Sequence, residues 1–346
     1  MMQISPETQL FIREHSSDDV RVLALQAKKY PDIDMPTAIT QIAGRKVAAE
    51  KIPSWWEIEK IWYPKHLSLE QCSSEITARY KARLLQGDSL TDLTGGFGID
   101  CSFLATGFKS ATYVERQEEL CEIAAHNFPV LNLNHINIKN EDGVTYLQAM
   151  SPVDCLFLDP ARRNEHGGKT VAISDCEPNV AELEELLLQK ANRVMIKLSP
   201  MLDLSLALKE LKQTQEVHIL SVNNECKELL ILLGQTSPAE ISIHCVNLFT
   251  KGTQKEQHFV FTREQEQCSE CTYTDSLETY LYEPNASLLK AGAFRSIAAA
   301  YPVRKLHPNS HLYTSDTFIE NFPGRIFRIV NQCSFNKKEV KENLAD

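Results

Sequence analysis

Apolar side chains recur every three or four positions through VRVLALQAKKY and AITQIAGRKVAAEKI. No two-residue alternation competes, so residues 6–87 read as helical. Ser68 or Ser73/Ser74 would open the last of these helices, through EITARYKARLLQ, and Gly87 would stop it. From Ser89 the period changes: short apolar runs at SLTDL, ATYVE, INIKN, VDCLFLD and VMIKL alternate with helical stretches from Gln117, over VAELEELLLQ and over LSLALKEL. Such alternation predicts parallel strands with helices on both faces. The next two runs, VHILSV and ELLILL, are joined only by NNECK, too short for a crossover helix, so they are expected to pair antiparallel at the sheet edge. Beyond Gly234, ISIHCVNLFTKGTQKEQHFVFT predicts two strands, ASLLKAGAFRSIAAA a helix and RIFRIV a strand, together a separate small α+β unit. The final KKEVKENLAD reads as a helix with nothing packed after it, as in an incomplete unit. The expected division is a helical domain over 1–87, an α/β domain over 88–235 and an α+β domain over 236–346.

A chain of 346 residues is long enough for several such units, and 43% hydrophobic with 24% charged content is that of a folded protein. No run of ~18 apolar residues occurs, and MMQISPETQLFIREH has neither a basic nor an apolar leader segment, so no membrane partner and a cytoplasmic location are expected. The net charge of -10 argues at first against a nucleic-acid partner, but 17 basic and 30 acidic side chains fall in residues 88–300 and the flanks are close to neutral. An RNA partner therefore stays open, bound through local patches. The ten cysteines, spread from Cys72 to Cys333, read as reduced thiols; Cys268 and Cys271 form a lone CxxC without further ligands nearby, and no metal is expected.

The sharpest feature is SLTDLTGGFGID, in which a strand ending at Asp92 runs through Gly95, Gly96 and Gly98 into a helix. Glycines there permit a tight turn and close approach of a ligand to the backbone. A dinucleotide fingerprint needs a third glycine three positions after Gly98, where Cys101 stands. A carboxylate at Asp92 would repel a pyrophosphate and suits a cationic sulfonium or ammonium group. On these residues the chain resembles the class I S-adenosylmethionine-dependent methyltransferases.

That resemblance implies a Rossmann-like core, a mostly parallel seven-stranded sheet with an antiparallel edge hairpin, and S-adenosyl-L-methionine as cofactor. Asp92, Thr94, Gly95, Gly96, Phe97 and Gly98 would form the cofactor turn. Glu115, ending ATYVE 17 residues after Gly98, would accept the ribose hydroxyls, with Arg116 beside it. Asp142, with Glu141 in reserve, would read the adenine amino group ahead of Gly143.

In FLDPARRNEHGGKT the Asp159-Pro160 pair is kept where related enzymes place the methyl acceptor, but Ala161 and Arg162 replace the second proline and the aromatic of the base-amine enzymes. The catalytic candidates are Asp159, Pro160 and Arg162, with Arg162 and Arg163 able to grip phosphate. DPAR is also similar to the motif of RNA 5-methyluridine enzymes, which use a cysteine after the fifth strand; VMIKLSPMLD has none, so direct transfer is expected. Through QCSSEITARYKARLL, EPNASLLKAGAFRSIA and KLHPNSHLYTSD the chain resembles a bacteroidetal group with a THUMP-like C-terminal domain, which implies a tRNA or rRNA substrate. The alternatives are a small-molecule or protein methyltransferase, or a non-catalytic RNA-binding protein. Trp55, Trp56 and Trp62 lie among Lys51, Lys60 and Lys65 and could stack bases, although packing is the preferred reading. Arg45, Lys46, Arg79, Lys81 and Arg83 read as a solvated or RNA-facing surface, with Lys81 and Thr77 as alternative holders of the methionine carboxylate.

Overall fold

The computed structural model describes residues 4–162, 172–236, 238–334 and 336–343. Its contacts divide the chain into two compact units, Met1–Gln213 with Leu232–Ser237, and Thr214–Ile231 with Pro238–Asp346.

The first unit opens with helices α1 (Pro6–Glu14), α2 (Val20–Leu25), α3 (Met35–Lys51), α4 (Pro53–Trp56), α5 (His66–Gln71) and α6 (Glu75–Ala82). Ser5 and Asp34 cap α1 and α3 by accepting the backbone N–H groups of Thr8 and Thr37, and a proline stands in the first turn of each. Phe11, Leu23, Met35, Ala38 and Ile42 fill one apolar cluster. A second joins Ala48, Ile52, Trp55 and Tyr63 to Phe97, Ile99 and Ile123. The helical segment is thus packed onto the α/β segment of the same unit. Helix α6 begins after Ser74 as expected but ends at Ala82, short of Gly87, where the Leu84 N–H turns back to the Lys81 carbonyl.

Strands β1 (Ser89–Asp92), β2 (Ser110–Glu115), β3 (Ile136–Asn140), β4 (Val153–Leu158) and, after the short antiparallel pair β5 (Ala161–Arg162) and β6 (Cys176–Glu177), β7 (Ala191–Leu198) realise the expected alternation. Their order is β7-β4-β1-β2-β3. The pairs β1–β2, β2–β3, β1–β4 and β4–β7 are all parallel. The intervening helices are α7 (Ile99–Ala105), α8 (Glu118–Val130), α9 (Gly143–Ala149) and α10 (Val180–Lys190), with α11 (Leu204–Glu210) after β7. Because β1 has β2 on one side and β4 on the other, the chain reverses its direction of advance there, the point at which open α/β sheets place a ligand crevice at the carboxyl ends of their strands.

In the second unit β8 (Thr214–Val222) and β9 (Glu225–Gly234) are neighbours. The turn between them, Asn223–Asn224, has φ values of 49° and 66°, the geometry of a two-residue hairpin. The hairpin is as expected, but it is not the edge. Strand β10 (Ser242–Leu248) runs parallel to β8 from Ser242↔Glu216 to Leu248↔Val222, and β11 (Glu256–Phe261) pairs antiparallel with β10. These two strands, expected in a unit of their own, instead cover the open edge of β8, which is buried from Val217 to Val222 and would otherwise leave its backbone unpaired. The seven residues 235–241 are enough chain to step across one strand. A small antiparallel sheet of β12 (Tyr280–Pro284), β13 (Arg304–Lys305), β14 (Tyr313–Ser315) and β15 (Gly324–Arg328) has the order β13-β14-β12-β15. Beside it are α12 (Arg263–Cys268), α13 (Ala286–Ala291) and α14 (Phe294–Ala300), and α15 (Lys337–Asn343) comes last. The single helix expected over ASLLKAGAFRSIAAA is broken at Gly292, whose φ of 77° ends α13.

Candidate active site

The glycine turn closes the carboxyl end of β1. The Gly95 N–H donates to the Val114 carbonyl at 2.9 Å, drawing the turn against β2 so closely that a Cβ on Gly95 would lie 2.2 Å from the Tyr113 ring. Gly96 has φ of 53°, and a Cβ there would meet nothing nearer than the Thr94 carbonyl oxygen at 3.8 Å. Among the described residues no side chain therefore crowds Gly96. Gly98, with φ of 86°, starts α7. Phe97 faces away: its ring is buried and lies edge-on to Trp55 at 5.2 Å, so only its backbone belongs to the turn.

Glu115 ends β2 and is buried. Its Oε2 accepts from the Gly96 N–H at 2.9 Å and its Oε1 from the Gln117 N–H at 2.8 Å. The carboxylate is thereby fixed at the turn, with further lone pairs free to accept. Asp142 caps α9 through Oδ1, which accepts from the N–H groups of Val144 and Thr145. Gly143 packs against the Leu93 carbonyl, 2.2 Å from where a Cβ would stand. Arg116 is exposed and pairs with Glu177 at 3.1 Å.

Asp92 is buried; its Oδ1 accepts from the Thr94 N–H at 3.0 Å, whereas Oδ2 has no partner among the described residues. Burial first, then the nearby Asp100, Asp159 and Glu115 carboxyls, push its pKa well above the usual range against the opposing Thr94 bond. The Thr94 hydroxyl accepts from the Asp159 N–H at 2.6 Å, tying the end of β4 to the turn. Asp159 is paired with Lys197, and Lys197 lies 3.8 Å from Asp100. Asp100 meets Lys81 at 3.1 Å and accepts from the Ser73 hydroxyl at 2.7 Å. Burial presses the Asp100 carboxyl upward, but Lys81, Lys197 and Ser73 together bring it below its ordinary value. One network thus joins α6, α7 and the ends of β1, β4 and β7. It holds three carboxyls, Asp92, Asp100 and Asp159, against two ammonium groups, Lys81 and Lys197.

The raised Asp92 carboxyl has a measurable consequence. Its folded pKa exceeds the unfolded value of about 3.9, so the folded state holds a proton that the unfolded state releases. Stability therefore falls as pH rises from the unfolded value through the folded one. Asp92→Asn removes that term, and thermal denaturation should show the variant more stable by roughly 1–3 kcal/mol at pH 7, the gain shrinking towards pH 4. A variant less stable than wild type at pH 7 would contradict a carboxyl whose pKa burial raises.

Sequence reasoning places none of Lys197, Asp100 and Ser73 in the site, Ser73 being expected only as a helix start. Lys197 had a signal, a lone charge inside the apolar run VMIKL. Lys81 is fully buried and so leaves the proposed basic face, whose other α6 member, Arg79, pairs with Glu75 at 2.6 Å. Thr77 is buried and its hydroxyl donates to the Ser74 carbonyl. Trp55 packs in the core, and Trp62 stacks on His126 at 3.7 Å, both as preferred; Trp56 is exposed, with the Arg45 guanidinium 5.7 Å from its ring. Pro160 is buried at the end of β4, and the backbone of Arg162 pairs with Cys176. The Arg162 side chain and Arg163 lie outside the described residues.

Fold and turn together define an α/β protein with a glycine turn at the carboxyl end of β1. Among solved structures, a protein assigned as a methyltransferase from Porphyromonas gingivalis W83 is 34% identical to this chain, with 99% of this chain and 86% of that one covered and a TM-score of 0.86. The chain belongs to the class I methyltransferase family that this protein represents. Residues 280–323 match a family described as a ferredoxin-like domain. A modification subunit assigned to a type I restriction enzyme of Vibrio vulnificus YJ016 shares 12% identity over 58% of this chain and 56% of its own, with a TM-score of 0.40. A protein assigned as a methyltransferase from Streptococcus mutans, solved with S-adenosylhomocysteine, shares 13% over 46% and 96%, with a TM-score of 0.33. No curated protein matches. Among the described residues no helix is long and apolar enough to cross a membrane.

Proposed function

We propose that this chain binds S-adenosyl-L-methionine in the 88–235 segment and methylates tRNA or rRNA in the cytoplasm by direct transfer, with the 1–87 and 236–346 segments serving the RNA. The observation that carries the cofactor reading is Asp92, a buried carboxyl with one oxygen that has no partner among the described residues, beside the glycine turn. When bound, S-adenosylmethionine supplies an electrophilic methyl group on a cationic sulfonium. Its net charge of about +1 complements the excess of one carboxyl in the network. Glu115 would accept the ribose hydroxyls, and Asp142 or Glu141 the adenine amino group, with Thr94, Gly95, Gly96, Gly98 and Gly143 shaping the cradle. Because a cation beside Asp92 favours its ionised form, binding should release a proton. Calorimetry at pH 7 in buffers of different ionisation enthalpy checks this: wild type should release up to about one proton per cofactor and Asp92→Asn none.

Asp159 and Pro160 stand on the acceptor side. There the Asp159 carboxylate, held by Lys197, would accept a hydrogen bond or proton from an attacking amine, and the rate would rest chiefly on alignment. Burial pushes the Cys72 thiol up to about 11 and holds the Cys101 thiol well above its ordinary value, which supports a route without a thiolate. The exposed Trp56 and the half-buried Arg45 beside it, able to stack on a base and meet a phosphate, support RNA as the acceptor. The test is mass spectrometry of modified nucleosides from a strain lacking the gene. One methylated nucleoside should disappear, return with the wild-type gene and stay absent with Asp159→Ala. An unchanged profile would turn the assignment to a protein or small-molecule acceptor.

A further inference from the structure

The second unit carries an unassigned cluster of ligating side chains. Alternate residues of a strand share a face, so Glu216 and His218 project from the same side of β8. The parallel register sets His244 of β10 beside His218, and the β11 register places His258 opposite Val246, on the same face as His244 and diagonal to it. The three imidazoles form a stack, with ring centroids 4.3 Å and 18° apart in orientation for His218 and His244, and 5.3 Å and 29° for His244 and His258. Nε2 of His218 lies 3.2 Å from Oε2 of Glu216, and Nδ1 of His244 lies 3.1 Å from Nε2 of His258. One ligand atom from each of Glu216, His218 and His244 falls within 4.8 Å of the others.

Packing alone does not account for this choice of residues. Three stacked imidazoles cannot all be protonated without mutual repulsion, and apolar side chains would fill the same face without burying polar nitrogens. The inner end of the stack, His218, is buried, whereas His258 is exposed. The cluster therefore opens towards solvent on the β11 side.

We propose that Glu216, His218 and His244 bind one divalent transition ion of the zinc class, with His258 as the fourth ligand. Imidazole nitrogens with one carboxylate oxygen are a borderline donor set that suits Zn²⁺ over Mg²⁺ or Ca²⁺. Bonds of about 2.0–2.2 Å in the plane of each ring require the stacked imidazoles to tilt towards the shared ion. The ion would clamp β8, β10 and β11 together.

The test uses the full chain, stripped with chelator and titrated with ZnCl₂ by calorimetry, with Co²⁺ absorption as an independent reading of the ligand field. One equivalent should bind at about 1 µM or tighter, with the intense visible bands of a four-coordinate cobalt site. His244→Gln and Glu216→Gln should each weaken zinc by at least about 100-fold, whereas Cys268→Ser with Cys271→Ser should leave it unchanged. Should His244→Gln fail to fold, His258→Gln, altered at an exposed position, must by itself weaken binding by about 10-fold. No saturable binding by wild type at about 100 µM zinc, undiminished affinity in His258→Gln, or binding that is lost only with the two cysteines would overturn the proposal.

Discussion

Lys81→Met should lower the midpoint of thermal unfolding by roughly 6–20 °C, the largest loss of stability expected from any single change in the site. The Lys81 side chain has no exposed surface, and its ammonium group lies 3.1 Å from Asp100 and 3.0 Å from the Ser73 hydroxyl. Methionine fills similar volume, so the cavity contribution is small and the loss is electrostatic. Breaking a buried pair from one side costs about 3–5 kcal/mol because the remaining charge stays desolvated, and at this size each kcal/mol moves the midpoint by about 2–4 °C. Lys197, 3.8 Å from Asp100, compensates only in part because it also serves Asp159. Two controls separate this cause from general disruption. Lys81→Met with Asp100→Leu should recover most of the loss, since both charges are then gone. The deficit of the single variant should also depend on pH. The folded pKa of Asp100 is depressed, so the stability it contributes is present above the unfolded carboxyl value and is lost as pH falls through the folded one. The gap between wild type and Lys81→Met should therefore narrow on acidification below about pH 4. Calorimetric unfolding checks all three, and a shift under about 2 °C for the single variant at pH 7 would mean that the pair contributes nothing.

Glu115→Ala should weaken S-adenosylmethionine binding by about 100-fold, or ~2.7 kcal/mol. The carboxylate has two tasks. It would accept the ribose hydroxyls, and it already holds the turn through the Gly96 N–H. Bonds to a charged acceptor are worth about 1.5–3 kcal/mol each, and alanine removes both sets together. Glu115→Gln, which keeps one acceptor oxygen, should fall between. Gly96→Val should match the alanine variant for a different reason: φ of 53° strains a β-branched residue, and its side chain would occupy the open space over the turn. Titration calorimetry with S-adenosylmethionine reads all of these, and failure of the wild-type protein to bind would sink the cofactor proposal itself.

Much of the first unit was legible in the chain because its signals are local. The change from a 3.6-residue to a short-strand period at Ser89, the Asp92 strand end, the glycine turn and Glu115 at the next strand end are each written in a few consecutive residues. The backbone conforms to them because hydrogen bonding and burial within an element depend on near neighbours. The pairing of VHILSV with ELLILL was readable for the same reason, although the turn is the two residues Asn223–Asn224 rather than all of NNECK. The break at Gly292 and the early end of α6 were not, because a single glycine or one extra turn is weighed against tertiary packing.

Taken by itself, the sequence determined the alternating α/β core, the turn that marks its crevice and the carboxyls at the strand ends. Only the tertiary structure decided which of those groups face one another. It turned Lys81 inward and Phe97 away from the crevice, and it brought Lys197 to Asp159 and Asp100. It set β10 against β8, so that His218 and His244, 26 positions apart, became neighbours. Pairing across strands depends on register, and a slip of one residue would send every one of those side chains to the opposite face. Register is set by the packing of the whole sheet, which no short stretch of the chain contains.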